Sequence, residues 1–126
     1  MNHWTQNAIF YHIYPLGFFG CEKHQTYQTV HRIRHLEAWI DHLRSLHVNA
    51  LYIGPLFASS SHGYDTIDYN QIDPRLGSNE DFKQLCQKLH ENQIKIVLDG
   101  VFNHVGRNFW AFEDVCEKKW ESPYKE

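Results

Sequence analysis

The chain has 126 residues, 42% of them hydrophobic, which suits one packed domain or a piece of one and rules out a disordered segment. Its 12 basic and 15 acidic residues give a net charge of -3 and form no basic stripe, so no nucleic-acid partner is expected. No apolar run approaches the roughly 20 residues of a membrane-spanning helix, so no membrane is expected either.

The first nineteen residues, "MNHWTQNAIFYHIYPLGFF", lack a basic region ahead of an unbroken apolar stretch. Pro15 and Gly17 interrupt the one candidate, so no export signal is expected and the chain reads as cytoplasmic. Residues 8–14, "AIFYHIY", are β-branched and aromatic and lie between Asn7 and Pro15, which predicts a first strand. From 30 to 47, Val30, Ile33, Leu36, Ile40, Leu43 and Leu46 recur at steps of three and four and predict a helix with those side chains on one face. His31, His35 and His47 fall in the same stretch and read as solvated surface rather than a metal cluster.

Residues 48–54, "VNALYIG", predict a second strand stopped by Gly54 and Pro55. Ser78 followed by Asp81 is a capping-box pattern, and Phe82, Leu85 and Leu89 continue as the buried stripe of a second helix. Asn92 is expected to end it in the left-handed conformation. Residues 94–99, "IKIVLD", predict a third strand. Cys21, Cys86 and Cys116 are odd in number and lack C-x-x-C spacing, as free thiols in a reducing compartment would.

Strand, helix, strand, helix, strand with little slack after each helix is the pattern of βαβ units, which predicts an α/β fold with a parallel sheet. The slack lies in residues 15–29 and 55–77, after the carboxyl ends of the first two strands. Parallel α/β folds place their ligands there, and loops of that length are usually functional.

Alternation puts Ile94, Ile96 and Leu98 on one face of the third strand, toward the helices, and Val97, Asp99 and Val101 on the other. An ionised carboxylate on that second face needs a cation or a hydrogen-bond donor, and no sequence neighbour of Asp99 supplies one. The residues alone leave two readings of Asp99 open: a group aimed into a pocket, or the cap of a turn with Gly100. In "SSSHGYDTIDYNQIDPRLGS", Gly63 permits a tight turn, Tyr64 offers a flat ring, and Asp65, Asp68 and Asp73 bring carboxylates. Rings and carboxylates together suit a polyhydroxylated ligand, since sugars offer C–H faces to one and hydroxyls to the other. For Asp68, Asp73 and Tyr69 the simpler reading is a solvated loop with Asx turns and Tyr69 packed on the core.

"HGYDTIDYNQIDPRLGS" and "IKIVLDGVFNH" closely resemble the α-amylase superfamily, glycoside hydrolase family thirteen. Its first signature, D-x-x-x-N-H at the end of the third strand, is matched here by Asp99 through Asn103 and His104. "AIFYHIYPLGFF" is similar to the family's first strand, and "LEAWIDHLRSLHVNALYIGPLF" to its first helix and second strand. The resemblance implies a partial (β/α)8 TIM barrel, roughly the first three βα units. Residues 1–105 would form the barrel's opening part and 106–126 the start of the excursion after its third strand.

The resemblance also implies roles. Tyr64 would stack on the sugar on the glycon side of the scissile bond, and His104 would hydrogen-bond that sugar's primary hydroxyl. Asp99 would orient the site by engaging an arginine near the nucleophile, and Asp65 would brace its loop. Asn103 matches a calcium ligand in many amylases, but the other ligands are not in this sequence, so no metal and no other cofactor are expected. The implied enzyme is a retaining glycosidase acting on α-linked glucans or maltooligosaccharides.

Retaining hydrolysis needs a nucleophile and a general acid about 5 to 5.5 Å apart. The family draws both from later strands, so no catalytic carboxyl is expected within these 126 residues. Three strands cannot close a barrel of roughly 250 residues, and the face bearing Val97, Asp99 and Val101 should be bare unless the remainder of the barrel covers it. The chain alone is therefore expected to be marginally stable, sticky and inactive. Two other readings stay open: a carbohydrate-binding relic without hydrolysis, and an unrelated half-barrel in which Asp99 and His104 hold a metal.

Overall fold

A computed structural model describes residues 3–126; Met1 and Asn2, at the head of the stretch read for an export signal, lie outside it. In chain order the elements are β1 (Phe10–Ile13), α1 (Pro15–Phe18), α2 (Ile40–Ser45), β2 (Ala50–Ile53), β3 (Phe57–Ser59), β4 (Thr66–Ile72), α3 (Asn79–Glu91), β5 (Lys95–Leu98) and α4 (Trp110–Lys118). Strands β1, β2 and β5 form one parallel sheet in that order, with His12 level with Tyr52 and Tyr52 level with Val97. This is the predicted α/β architecture.

Period-two alternation divides that sheet into two unlike sides. Ile13, Leu51, Ile53 and Ile94 point toward the helices and are almost wholly buried, and Ile96 and Leu98 pack against the same cluster. Ile33, Leu36, Ile40 and Leu43 meet them from one helical layer and Leu85 and Leu89 from α3. On the other side His12 is exposed, Tyr52, Val97 and Asp99 are half-exposed, and Phe10 is 49% exposed. His12 stacks on Tyr52 there, ring centroids 4.6 Å apart.

The stretch predicted as one helix from 30 to 47 is built differently. A 3-10 helix covers Arg32–Trp39, and only Ile40–Ser45 is α-helical. Three residues per turn carries Ile33 and Leu36 to one edge, so burying them needs no α-helical turn. Val30 and Leu46, expected on the buried face, are 37% and 47% exposed because they flank the helical segment. His31 is not mere solvated surface: its ring Nδ1 lies 2.5 Å from Asp81.

Helix α3 starts as its capping box requires. The Ser78 hydroxyl accepts from the Asp81 amide at 3.2 Å, and the Asp81 carboxylate accepts from the Ser78 amide at 2.9 Å. Its end falls one residue later than expected. Asn92 keeps φ at −94°, and Gln93 adopts φ +60°, the left-handed value. Asn92 instead uses its amide to cap the Lys88 carbonyl at 2.9 Å, and the turn closes with Ile94 N–H on Leu89 O.

Residues 55–77, expected as a loop, contain the antiparallel hairpin of β3 and β4, its register broken by irregularities at Phe57 through Ser59. Those breaks hide the alternation by which a hairpin is recognised in sequence. Asp73 is not solvated as expected but fully buried, and it ion-pairs with the equally buried Arg75 at 2.8 Å. Arg75 also donates to Ser59 Oγ at 2.9 Å and to the Glu22 carbonyl at 2.8 Å, tying both long loops together. Tyr69 packs outside the main core, against Phe57, Phe102 and Phe109.

Candidate functional site

The parallel ladder continues one residue past β5, where the Asp99 amide donates to Ile53 O at 3.0 Å. That places the half-buried Asp99 carboxylate on the bare face beside Tyr52. The Tyr52 phenol has its pKa raised, by burial first and then by the charge and hydrogen bonding of Asp99. The carboxylate lies on the face opposite the helices, as the alternation of the strand predicts. Tyr52 is a neighbour that no reading of Asp99's own segment could supply.

Tyr64 reaches the same end of the sheet from the β3–β4 loop. Gly63 before it holds φ +96°, and a Cβ there would fall 2.7 Å from the Pro55 Cβ, so this turn requires glycine. Tyr14, at the end of β1, donates its hydroxyl to His62 O at 2.7 Å and fixes the loop from below. Asp65 accepts from the Ser61 hydroxyl at 2.6 Å and the Ser61 amide at 3.2 Å. Burial pushes the Asp65 carboxyl up, but the Ser61 bonds outweigh it and hold the pKa below the ordinary value. The Tyr64 ring is left 44% exposed.

After β5 the chain turns back onto this loop. Gly106 donates to Thr66 O at 2.8 Å, and a Cβ on it would lie 2.5 Å from the Asp65 carbonyl oxygen. The Tyr69 hydroxyl donates to the Val101 carbonyl and holds the intervening turn. His104 is thereby set with Nε2 2.8 Å from the Tyr64 carbonyl oxygen, while Asn103 Nδ2 lies 3.2 Å from its Nδ1. A carbonyl only accepts, so Nε2 carries the proton and Nδ1 accepts from Asn103.

Tyr64, Asp65, Asn103 and His104 thus meet in one place, and Asp99 adjoins them through Tyr52. Both nitrogens of the exposed His104 ring have partners within the chain. His12, Tyr14 and Tyr52 were missed as residues of this site, although extending the alternation of β5 to β1 and β2 puts His12 and Tyr52 on the face of Asp99. Among the described residues no group of three or more His, Cys, Asp or Glu could hold a metal ion.

Residues 13–126 match the family model described as alpha amylase, catalytic domain. Cyclomaltodextrinase from Thermoanaerobacter pseudethanolicus is 36% identical over 96% of this chain and 24% of its own length. Neopullulanase 2 from Thermoactinomyces vulgaris is 39% identical over 98% of this chain and 24% of its own. The ligand-free cyclic alpha-maltosyl-(1-->6)-maltose hydrolase from Arthrobacter globiformis superimposes with a TM-score of 0.80 at 32% identity, over 97% of this chain and 31% of that one. The chain spans about a quarter of the length of these curated relatives.

Proposed function

The chain belongs to the alpha-amylase catalytic-domain family, and from that premise we propose that it forms the opening part of a cytoplasmic, retaining glycosidase acting on α-linked glucans or maltooligosaccharides. Residues 1–105 are the barrel portion in this reading, and 106–126 begin the excursion after its third strand. The relatives' names, cyclomaltodextrinase and neopullulanase among them, support the substrate class. The name of a 43% identical Bacillus subtilis relative, intracellular maltogenic amylase, supports the compartment.

The observation that carries the reading is the meeting of His104 with the loop of Tyr64, 2.8 Å from ring nitrogen to carbonyl oxygen, at the carboxyl end of the sheet. Tyr64 offers its exposed ring to a sugar's C–H face. His104, with Nε2 protonated, exchanges the Tyr64 carbonyl for a sugar hydroxyl, and Asn103 holds the tautomer that makes this donation available. Asp65 keeps the loop in shape. Asp99 is a carboxylate with a phenol beside it and no ion pair among the described residues, so a guanidinium from a later strand of the barrel would complete it as a bidentate pair.

The nucleophile and the general acid come from later strands in this reading, and the 126-residue chain alone performs no hydrolysis. The chemistry is carried by carboxyl groups, so no cofactor is required.

The test is a hybrid in which this chain replaces the matching segment of the Thermoanaerobacter pseudethanolicus cyclomaltodextrinase. The folded hybrid should hydrolyse maltooligosaccharides, and Tyr64→Ala or His104→Ala should lower its kcat/KM by roughly tenfold or more. A folded hybrid that cleaves none of them sinks the reading. Maltooligosaccharide turnover by the isolated chain, surviving His104→Ala, would sink the claim that it is inactive alone.

A further inference from the structure

A second hollow lies outside the site just described. It encloses about 260 Å³ between the loop after β1, the outer surface of the β3–β4 hairpin and the start of α4. None of Tyr64, Asp65, Asp99 or His104 lines it.

Its two aromatic walls come from distant parts of the chain. Tyr27 is 72% exposed and holds φ +58°, a left-handed value that is strained for a bulky side chain and is kept only where surrounding structure enforces it. Gln25 enforces it. The Gln25 side-chain oxygen accepts from the Tyr27 amide at 3.0 Å and the Thr26 amide at 3.1 Å, while its NH₂ donates to Ser59 O at 2.9 Å and to the buried Asp73 at 3.3 Å. The strained residue is thus tied to a rigid part of the fold. Trp110, which lines the same hollow, is 46% exposed and braced edge-on by Tyr124, ring centroids 5.0 Å apart.

Besides the rings, the hollow is lined by amides, from Gln71 and Asn108, and carboxylates, from Asp68 and Glu113. No lysine, arginine or histidine lines it among the described residues, which disfavours phosphate and other anions. Amides that both donate and accept, acids that accept, and flat rings above them match hydroxyl groups and C–H faces. The volume suits a single ring rather than a long ligand.

We propose that the hollow between Tyr27 and Trp110 is a second binding site, taking one ring of a neutral saccharide. That this ring is a glucosyl unit of an α-glucan rests on the functional reading above.

The test titrates the whole 126-residue chain with maltotriose and follows two reporters, the Trp110 indole N–H and the His104 ring protons, by NMR. The Trp110 signal should shift saturably. Tyr27→Gly should weaken that shift roughly tenfold, as loss of a stacked ring predicts. Glycine relieves the left-handed backbone while deleting the ring, so this variant does not fail by misfolding. Tyr64→Ala should leave the Trp110 titration unchanged.

A Trp110 signal that stays fixed, or one that titrates equally well in Tyr27→Gly, overturns the proposal. So does a shift caused by tetramethylammonium and not by maltotriose, which would make the rings and acids a cation cage. Loss of the His104 response with the Trp110 response intact would count against the functional reading and leave this site standing; the opposite pattern would do the reverse.

Discussion

The two sides of the three-stranded sheet were made by the same alternation and ended differently. On the side of Ile13, Leu51, Ile53 and Ile94, every apolar group found a helix, and none of the four is more than 3% exposed. On the side of Phe10, His12, Tyr52, Val97 and Asp99, large rings and a carboxylate face open space. The first side is what holds the chain folded. The second carries the site, and it carries groups only partly provided for: Asp99 has no ion pair among the described residues, and Phe10 has the Trp4 ring 6.0 Å away yet is 49% exposed. Stability and function in this chain therefore lie on opposite faces of the same strands.

Substitutions can break or sharpen that contrast. The largest effect is expected at Arg75→Met, which strands the buried Asp73 carboxylate without its cation where the two long loops join and should cost about 3–5 kcal/mol. Urea denaturation followed by tryptophan fluorescence would read it, and a loss under about 1 kcal/mol would show that Arg75 does not anchor the two loops.

Adjacent residues of β2 give a cleaner comparison. Ile53→Ala should cost about 2–5 kcal/mol, because it opens a cavity in the closed side. Tyr52→Ala, one residue away on the bare side, should cost clearly less than that. Equal losses at the two positions would mean that the faces do not differ as described.

Asp81 gives the contrast a pH dependence. Burial pushes its carboxyl up, but bonds from His31, the Ser78 amide and Arg34 outweigh that and hold its pKa far below the ordinary carboxylate range. A carboxylate depressed on folding contributes stability that is present above its unfolded pKa of about 3.9 and is lost as pH falls below it toward the folded value. Urea midpoints should therefore decline as the pH drops below about 4. Asp81→Asn should lower the midpoint at pH 7 and flatten that acid decline; an unchanged acid limb would remove Asp81 as its cause.

The smallest effect on stability is expected at Phe10→Lys on the bare side, within about 0.5 kcal/mol. Sedimentation velocity should nevertheless show less self-association, since an exposed apolar face is what copies of the chain would share. Unchanged association would mean the bare side is not the adhesive one.

Much of this arrangement was legible in the residues themselves. Apolar spacing marked the three parallel strands, the Ser78–Asp81 pair marked the start of α3 at the correct residue, and D-x-x-x-N-H with G-Y-D marked the residues that meet at the carboxyl end. The first two are local signals, set by the period of a strand and the four free amides of a helix start, whereas the last was marked by the family resemblance. What stayed hidden depends on partners distant in sequence. The 3-10 helix at Arg32–Trp39, which packs against α3, was not legible, since residues three apart satisfy either helix. The fate of Asp73 was decided by Arg75, because an aspartate in a polar loop reads the same whether it meets water or a guanidinium, and the contacts of Asp81 with His31 and Arg34 lie beyond what its capping box shows.

From sequence alone, then, came the alternation of the strands, the helix cap and the identity of the polar groups at the strand ends, because each is fixed by neighbours within a few bonds. Only the tertiary structure decided that Tyr52 lies beside Asp99, that His104 reaches the carbonyl of Tyr64, and that Tyr27 and Trp110 line one hollow. Those meetings join residues dozens of positions apart, and the free energy that brings them together belongs to the packed core behind the sheet rather than to either partner.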